Sequence, residues 1–106
     1  MKAKRMNSAE KRDAVDILEY LIDRREKFIK ADLITEKFNI TSAYLRKIIH
    51  YLRVCACPII STSKGYCYTF NQDKIIENIN SLNNRGMSVL EAASGLMQSL
   101  HDVNVY

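Results

Sequence analysis

The chain has 106 residues, with 16 Lys+Arg against 12 Asp+Glu and a net charge of +4, a length that fits one domain with an appendage and excludes two of ordinary size. It is 47% hydrophobic and 26% charged, which excludes a disordered polyelectrolyte, and no stretch approaches the roughly 20 consecutive apolar residues of a membrane span. The basic stretch Met1–Arg5 leads into no apolar run, so a cytoplasmic protein is expected, in which Cys55, Cys57 and Cys67 read as reduced thiols.

In chain order, Asn7 and Glu10 have capping-box spacing, and Ala14, Ile17, Leu18, Leu21 and Ile22 then recur at helical intervals, which predicts a helix over 8–25. Phe28 and Ile29 predict a short strand or an extended lead-in to a second helix at 31–38, with Ala31, Leu33, Ile34 and Phe38 as its apolar face. Asn39 suits the left-handed conformation that ends a helix and turns the chain, and Thr41 is a good N-cap for a third helix at 42–53. Leu45, Ile48, Ile49 and Leu52 make the core face of that helix. Its other side shows Ala43, Lys47 and His50, flanked by Tyr44, Arg46 and Tyr51, and it contains no acid.

Pro58 to Ser61 then lead into Thr62-Ser63-Lys64-Gly65 and the alternating run Tyr66 to Phe70, which predicts a hairpin with its Gly in the turn. Tyr66, Tyr68 and Phe70 fall on one face of the return strand, and at least two of the rings are expected to pack on the helices. In the last third, Ile75, Ile79, Leu82, Gly86, Val89, Ala93, Leu96, Leu100 and Val103 are spaced alternately four and three apart, the repeat of a coiled-coil seam. Asn83, Asn84 and Gly86, followed by a Ser88/Glu91 capping box, predict two helices, at about 73–83 and 88–102. Fused, they would make a helix of roughly 45 Å that needs a partner.

The charge is unevenly placed. Residues 1–53 carry 13 basic and 8 acidic groups (+5) and residues 54–106 carry 3 and 4 (−1). Between Glu36 and Asp73 there is no acid at all, yet Lys37, Arg46, Lys47, Arg53 and Lys64 lie there. A segment with one sign of charge suits a polyanion, and nucleic acid is the commonest.

Three helices, the last two joined tightly, and then a Gly-bearing hairpin follow the order of a winged helix-turn-helix. Residues 29–70 resemble winged-helix DNA-binding domains of the biotin-operon-repressor type and the small winged-helix proteins of phages and prophages. Thr41-Ser42-Ala43-Tyr44-Leu45-Arg46-Lys47-Ile48-Ile49 reads as the recognition helix and Ile60-Ser61-Thr62-Ser63-Lys64-Gly65-Tyr66 as the wing. The segment Ser42 to Ile48 is also similar to the recognition helix of bacterial regulators of which some hold an iron–sulfur cluster. There the ligating cysteines lie beyond the wing, whereas here all three lie before or inside it, so neither cluster nor other cofactor carries over. Cys-x-Cys is not a usual metal spacing either.

The resemblance implies an α+β, mainly α fold: a winged helix over 1–72 with a C-terminal helical extension over 73–106. The implied partner is double-stranded DNA, with the helix in the major groove. Lys47 would contact guanine or phosphate, Thr41, Ser42 and Tyr44 would serve the helix start, Ala43 a thymine methyl, and Arg46, His50 and Tyr51 the margins. Ser63, Lys64 and Gly65 would form the wing tip. Two half-sites call for a homodimer, and Leu82, Val89, Ala93, Leu96 and Leu100 are the expected dimerisation residues. The expected role is transcription regulation or a phage accessory function, in a bacterial or phage-infected cell. No membrane or small-molecule effector is expected. The competing reading is a protein-interaction module using Tyr44, Tyr51 and Tyr66. An enzyme is not expected, because no paired carboxylates, phosphate-binding Gly loop or Ser/His/Asp set stands out, and Cys67 with His50 reads as packing.

Overall fold

A computed structural model of the chain describes the backbone of residues 6–105 and the side chains of residues 6–99. The elements are α1 (Ser8–Asp23), α2 (Ala31–Phe38), α3 (Ser42–Val54), β1 (Ile59–Thr62), β2 (Gly65–Tyr68) and α4 (Gln72–Val105). The described residues thus form an α+β structure, mainly helical, with one small antiparallel sheet. The chain divides into two compact units, Met1–Ile75 and Ile76–Tyr106.

In the first unit α1 opens on both arms of the capping box. The Glu10 amide donates to Asn7 Oδ1 at 2.8 Å and the Asn7 amide to Glu10 Oε1 at 3.2 Å. The helix ends at Asp23, two residues short of the expected end, and the chain turns through Glu26 at φ 68°. Asn39 takes the left-handed conformation after α2, at φ 52°, and the Ile40 amide returns to Thr35 O at 3.0 Å. Thr41 caps α3 by accepting from the Tyr44 amide at 3.1 Å. This tight joint crosses α2 and α3 so that Ile34 meets Ile17 and Leu21 of α1 and Leu45, Ile48, Ile49 and Leu52 of α3 in one core. Met6 joins that core at 6% exposure, a contribution the sequence pattern does not announce.

After α3, the Ala56 amide donates to Arg53 O at 2.9 Å and the Cys57 amide to Leu52 O at 3.0 Å, the paired bonds of a Schellman cap. Ala56 occupies its left-handed position at φ 66°, where glycine is the usual residue.

The strands pair as Ile59↔Tyr68, Ile60↔Cys67, Ser61↔Tyr66 and Thr62↔Gly65. The turn residues are therefore Ser63 and Lys64, and Gly65 opens β2 instead of sitting between the strands. Two facts require glycine here: its φ is 119°, and a Cβ would stand 2.2 Å from the Ile29 carbonyl oxygen. Ile29 lies that close because it bridges Tyr66, with reciprocal bonds of 2.8 and 2.9 Å. The extended lead-in before α2 thus touches β2 through a single isolated bridge, outside the two-stranded sheet. Cys67 and Thr69 are fully buried, while Tyr66 and Tyr68 pack half-buried against the core. Phe70 does not join them: it is 70% exposed and meets Tyr68 edge-on at 5.4 Å. At the strand's end the Thr69 hydroxyl donates to Glu26 Oε2 at 2.7 Å and accepts from the Asn71 amide at 3.0 Å.

The expected break in the last third is absent. Residues 72–105 form one helix of 34 residues, about 51 Å long at about 1.5 Å per residue. Asn71 starts it, its Oδ1 accepting from the Lys74 amide at 3.1 Å. Ser88 does not cap a new helix: its hydroxyl donates back to Asn84 O at 3.1 Å, within a continuous turn. Asn83, Asn84 and Gly86 each cost up to about 1 kcal/mol relative to alanine, which weakens a helix without stopping it. The one residue type that would stop it, proline, occurs only at position 58. Every residue from 79 to 99 is exposed, including the expected seam residues Leu82, Val89, Ala93 and Leu96; the side chain of Leu100 lies outside the described residues. No helix among the described residues is long and apolar enough to cross a membrane.

Candidate nucleic-acid interface

With Leu45, Ile48, Ile49 and Leu52 buried, helical geometry divides the rest of α3 into two flanks. One carries Tyr44, Lys47 and Tyr51 and meets α1. The Tyr44 hydroxyl donates to Asp13 Oδ2, and Lys47 Nζ pairs with Glu10 Oε2. Asp13 also changes the tyrosine's chemistry: its hydrogen bond, with burial and the nearby negative charges, pushes the phenol pKa up to about 12. Lys47, 46% exposed, therefore has a carboxylate partner that is itself only 13% exposed. The residue given the leading contact from sequence is the one α1 neutralises. Tyr51, half-buried, has its phenol pKa raised by a hydrogen bond with Cys55.

The other flank carries Ser42, Ala43, Arg46 and His50, all exposed, and no acid belongs to it. It continues onto the hairpin through Arg53. The Arg53 Nε donates to Ile59 O at 2.9 Å and a terminal nitrogen donates to Ser61 Oγ at 2.9 Å. A forked guanidinium holding both a backbone and a side-chain oxygen fixes the hairpin relative to α3 more closely than a single lysine contact would. At the hairpin tip Ser63 and Lys64 are exposed and Gly65 is half-buried. The Lys64 amide donates to Thr62 Oγ1 at 3.1 Å, which tightens the turn. Thr41 is exposed, though its hydroxyl is engaged in the α3 cap.

An open depression of about 380 Å³ lies between the start of α2 and the hairpin, lined by Lys30, Ala31, Asp32, Ser61, Thr62, Ser63, Gly65 and Tyr66. Asp32 gives it mixed charge, so the acid-free surface is confined to α3 and the hairpin tip.

The cysteines do not converge. Cys55 is exposed, Cys57 half-buried and Cys67 buried. Burial first, then a neighbouring Cys55 or Glu26, pushes the Cys57 and Cys67 thiols up, which keeps them protonated. Among the described residues no three His, Cys, Asp or Glu side chains are grouped to hold a metal ion.

Comparison of the chain with family models, with curated proteins and with solved structures finds no match.

Apart from Thr41, which caps α3, the expected DNA-side residues lie on α3 or the hairpin, but local spacing does not reveal the carboxylates that divide α3 into two flanks. Asp13 and Tyr44 are 31 residues apart, and no local spacing links them. Arg53 follows Arg46 by seven residues on the same side of the helix, which shows its flank in the sequence but not its bonds to Ile59 and Ser61.

Proposed function

We propose that this chain binds double-stranded DNA as a winged helix-turn-helix protein, as a homodimeric transcription regulator or mobile-element accessory factor. The observation that carries the reading is the acid-free flank of α3, with Ser42, Ala43, Arg46 and His50 exposed, continued through Arg53 to the exposed tip at Lys64. In this reading α3 enters the major groove on that flank. Arg46 replaces Lys47 as the residue that reaches a guanine edge, because among the described residues no carboxylate pairs with its guanidinium, which offers two parallel donors. Lys47 keeps a secondary role, exchanging Glu10 for a phosphate. The hairpin acts as the wing, with Lys64 against backbone phosphates.

The test is fluorescence anisotropy on duplexes selected from a random pool, with a salt titration. Arg46→Ala costs about 1–3 kcal/mol and relaxes preference at one position, while Lys64→Ala weakens all sequences alike and lowers the salt slope by about one. Lys47→Ala has the smaller effect on preference. Absence of salt-sensitive duplex binding by the intact chain overturns the proposal.

A docking module is the second reading. Its favouring observation is Phe70, 70% exposed, an aromatic of the kind enriched at protein interfaces. Of the tyrosines first considered for it, all three are half-buried and Tyr44 is bound to Asp13. Salt-insensitive capture by a protein partner, lost in Phe70→Ala, would favour it over DNA.

A further inference from the structure

The second unit carries a surface that DNA binding does not use. From Ile79 to Ser99 every side chain of α4 is exposed, with Leu82 at 37%, Val89 and Leu90 at 68%, Leu96 at 70% and Met97 at 71%. A single helix with an uncovered apolar stripe is marginal in water and is stabilised by packing.

The seven-residue repeat orders this surface. Ile79, Gly86 and Ala93 hold one seam position (a) and Leu82, Val89 and Leu96 the other (d), with Leu90 and Met97 beside them. The opposite side holds Glu77, Asn84, Glu91 and Gln98. Only Glu77, Arg85 and Glu91 are charged between 76 and 99. That near-neutral balance does not suit nucleic acid or an anionic lipid surface, either of which calls for Lys and Arg on the polar side.

The seam is instead complementary to itself. In a parallel pair each position meets its own copy, so Gly86 faces Gly86 and Ala93 faces Ala93, leaving an underfilled layer on either side of the Val89 layer in the middle of the interface. In an antiparallel pair each a residue meets a d residue. Gly86 then lies opposite Val89, Ala93 opposite Leu82 and Ile79 opposite Leu96, so the two small residues each face a larger one. Over residues 76–99 the stripe is about 36 Å long at about 1.5 Å per residue and about 10 Å wide. For two copies that is roughly 700 Å² of smooth envelope, below the roughly 1,200 Å² of the smaller stable interfaces, so the pairing depends on interdigitated side chains to add buried area.

We propose that α4 pairs with α4 of a second copy of this chain in antiparallel orientation, with Gly86 and Ala93 of each helix seated against Val89 and Leu82 of the other. The proposal rests on the homodimer part of the functional reading and is independent of its DNA part.

The test begins with sedimentation of the full chain across a concentration series. A reversible dimer is expected, and Val89→Asp, which places an unpaired charge in the seam, raises its dissociation constant at least about 100-fold. Orientation is read from disulfides, in chains carrying Cys55→Ser and Cys57→Ser with Cys67 left buried. Leu82→Cys and Ala93→Cys are oxidised separately and mixed, one of them tagged. The antiparallel pair gives a cross-link only in the mixture. Each engineered thiol would stand about 16 Å along the axis from its own copy, at about 1.5 Å per residue over eleven residues, beyond the roughly 7 Å limit between bridged Cα atoms. Cross-linking of Leu82→Cys with itself overturns the orientation and leaves the homodimer standing. A monomer at every concentration overturns both.

Discussion

At the scale of single residues, three non-glycine residues among those described have positive φ: Glu26 at 68°, Asn39 at 52° and Ala56 at 66°. Asn39 tolerates that conformation by its side chain, and the Glu26 carboxylate accepts from Thr69. Ala56, exposed and with only a methyl group, has no such compensation. Its left-handed conformation costs about 1–2 kcal/mol, from which the extra unfolded-state freedom of glycine, about 0.4–1 kcal/mol, must be subtracted. Ala56→Gly is therefore expected to stabilise the first unit by about 0.5–1 kcal/mol, seen as a rise of a few degrees in Tm. Tyr44 sets a pH dependence. Its phenol is held neutral up to a pKa of about 12 in the folded chain, against an ordinary value near 10. A raised pKa contributes stability that is complete below about pH 10 and lost as pH climbs through about 12. The stability advantage of the natural chain over Tyr44→Phe should thus shrink across that interval in denaturant titrations. The absorbance titration of the variant should also lack one late-ionising phenol.

At the scale of elements, α1 to α3 were legible because each carries its own start or stop: the Asn7/Glu10 box, Asn39 and Thr41. The hairpin was legible from alternation, but the place of Gly65 was not. The reason for a glycine there is the backbone of Ile29, 36 residues earlier, and a contact of that span leaves no local mark. The misread element was α4. Ser88 and Glu91 are spaced as a cap, yet a cap forms only where the capping residue itself leaves the helical conformation, and here Ser88 remains inside α4. Such a helix has propensity to gain. Gly95 is exposed, has nothing within 4 Å of a would-be Cβ, and lies off the proposed seam. Gly95→Ala should therefore stabilise α4 by up to about 1 kcal/mol. Circular dichroism should show greater helicity for the variant at low concentration, where pairing contributes least.

At the scale of the whole chain, the uneven placement of charge could be read without coordinates, and counted by unit it is +6 for residues 1–75 (15 basic, 9 acidic) and −2 for residues 76–106 (1 basic, 3 acidic), which matches a division of surfaces. The charged, acid-free flank belongs to the first unit and the uncovered apolar stripe to the second. What charge counting could not give is sidedness, because Glu10 and Asp13 reach α3 from α1 and neutralise one flank only. On the proposed reading these carboxylates fence off that side, so a phosphate backbone meets repulsion along α1 and attraction toward the hairpin. The Ile29–Tyr66 bridge has a different reach. Its two amides, with that of Glu26 on Tyr68 O at 2.9 Å, tie the end of α1, the lead-in to α2 and strand β2 into one hydrogen-bonded knot. In native-state hydrogen exchange the amides of Glu26, Ile29 and Tyr66 should report one common opening free energy. Gly65→Ala, whose Cβ would collide with the Ile29 carbonyl, should lower all three together. Opening the hairpin would then also release the segment that sets α2 in place, so the proposed wing and helix-turn-helix would be lost as a single event.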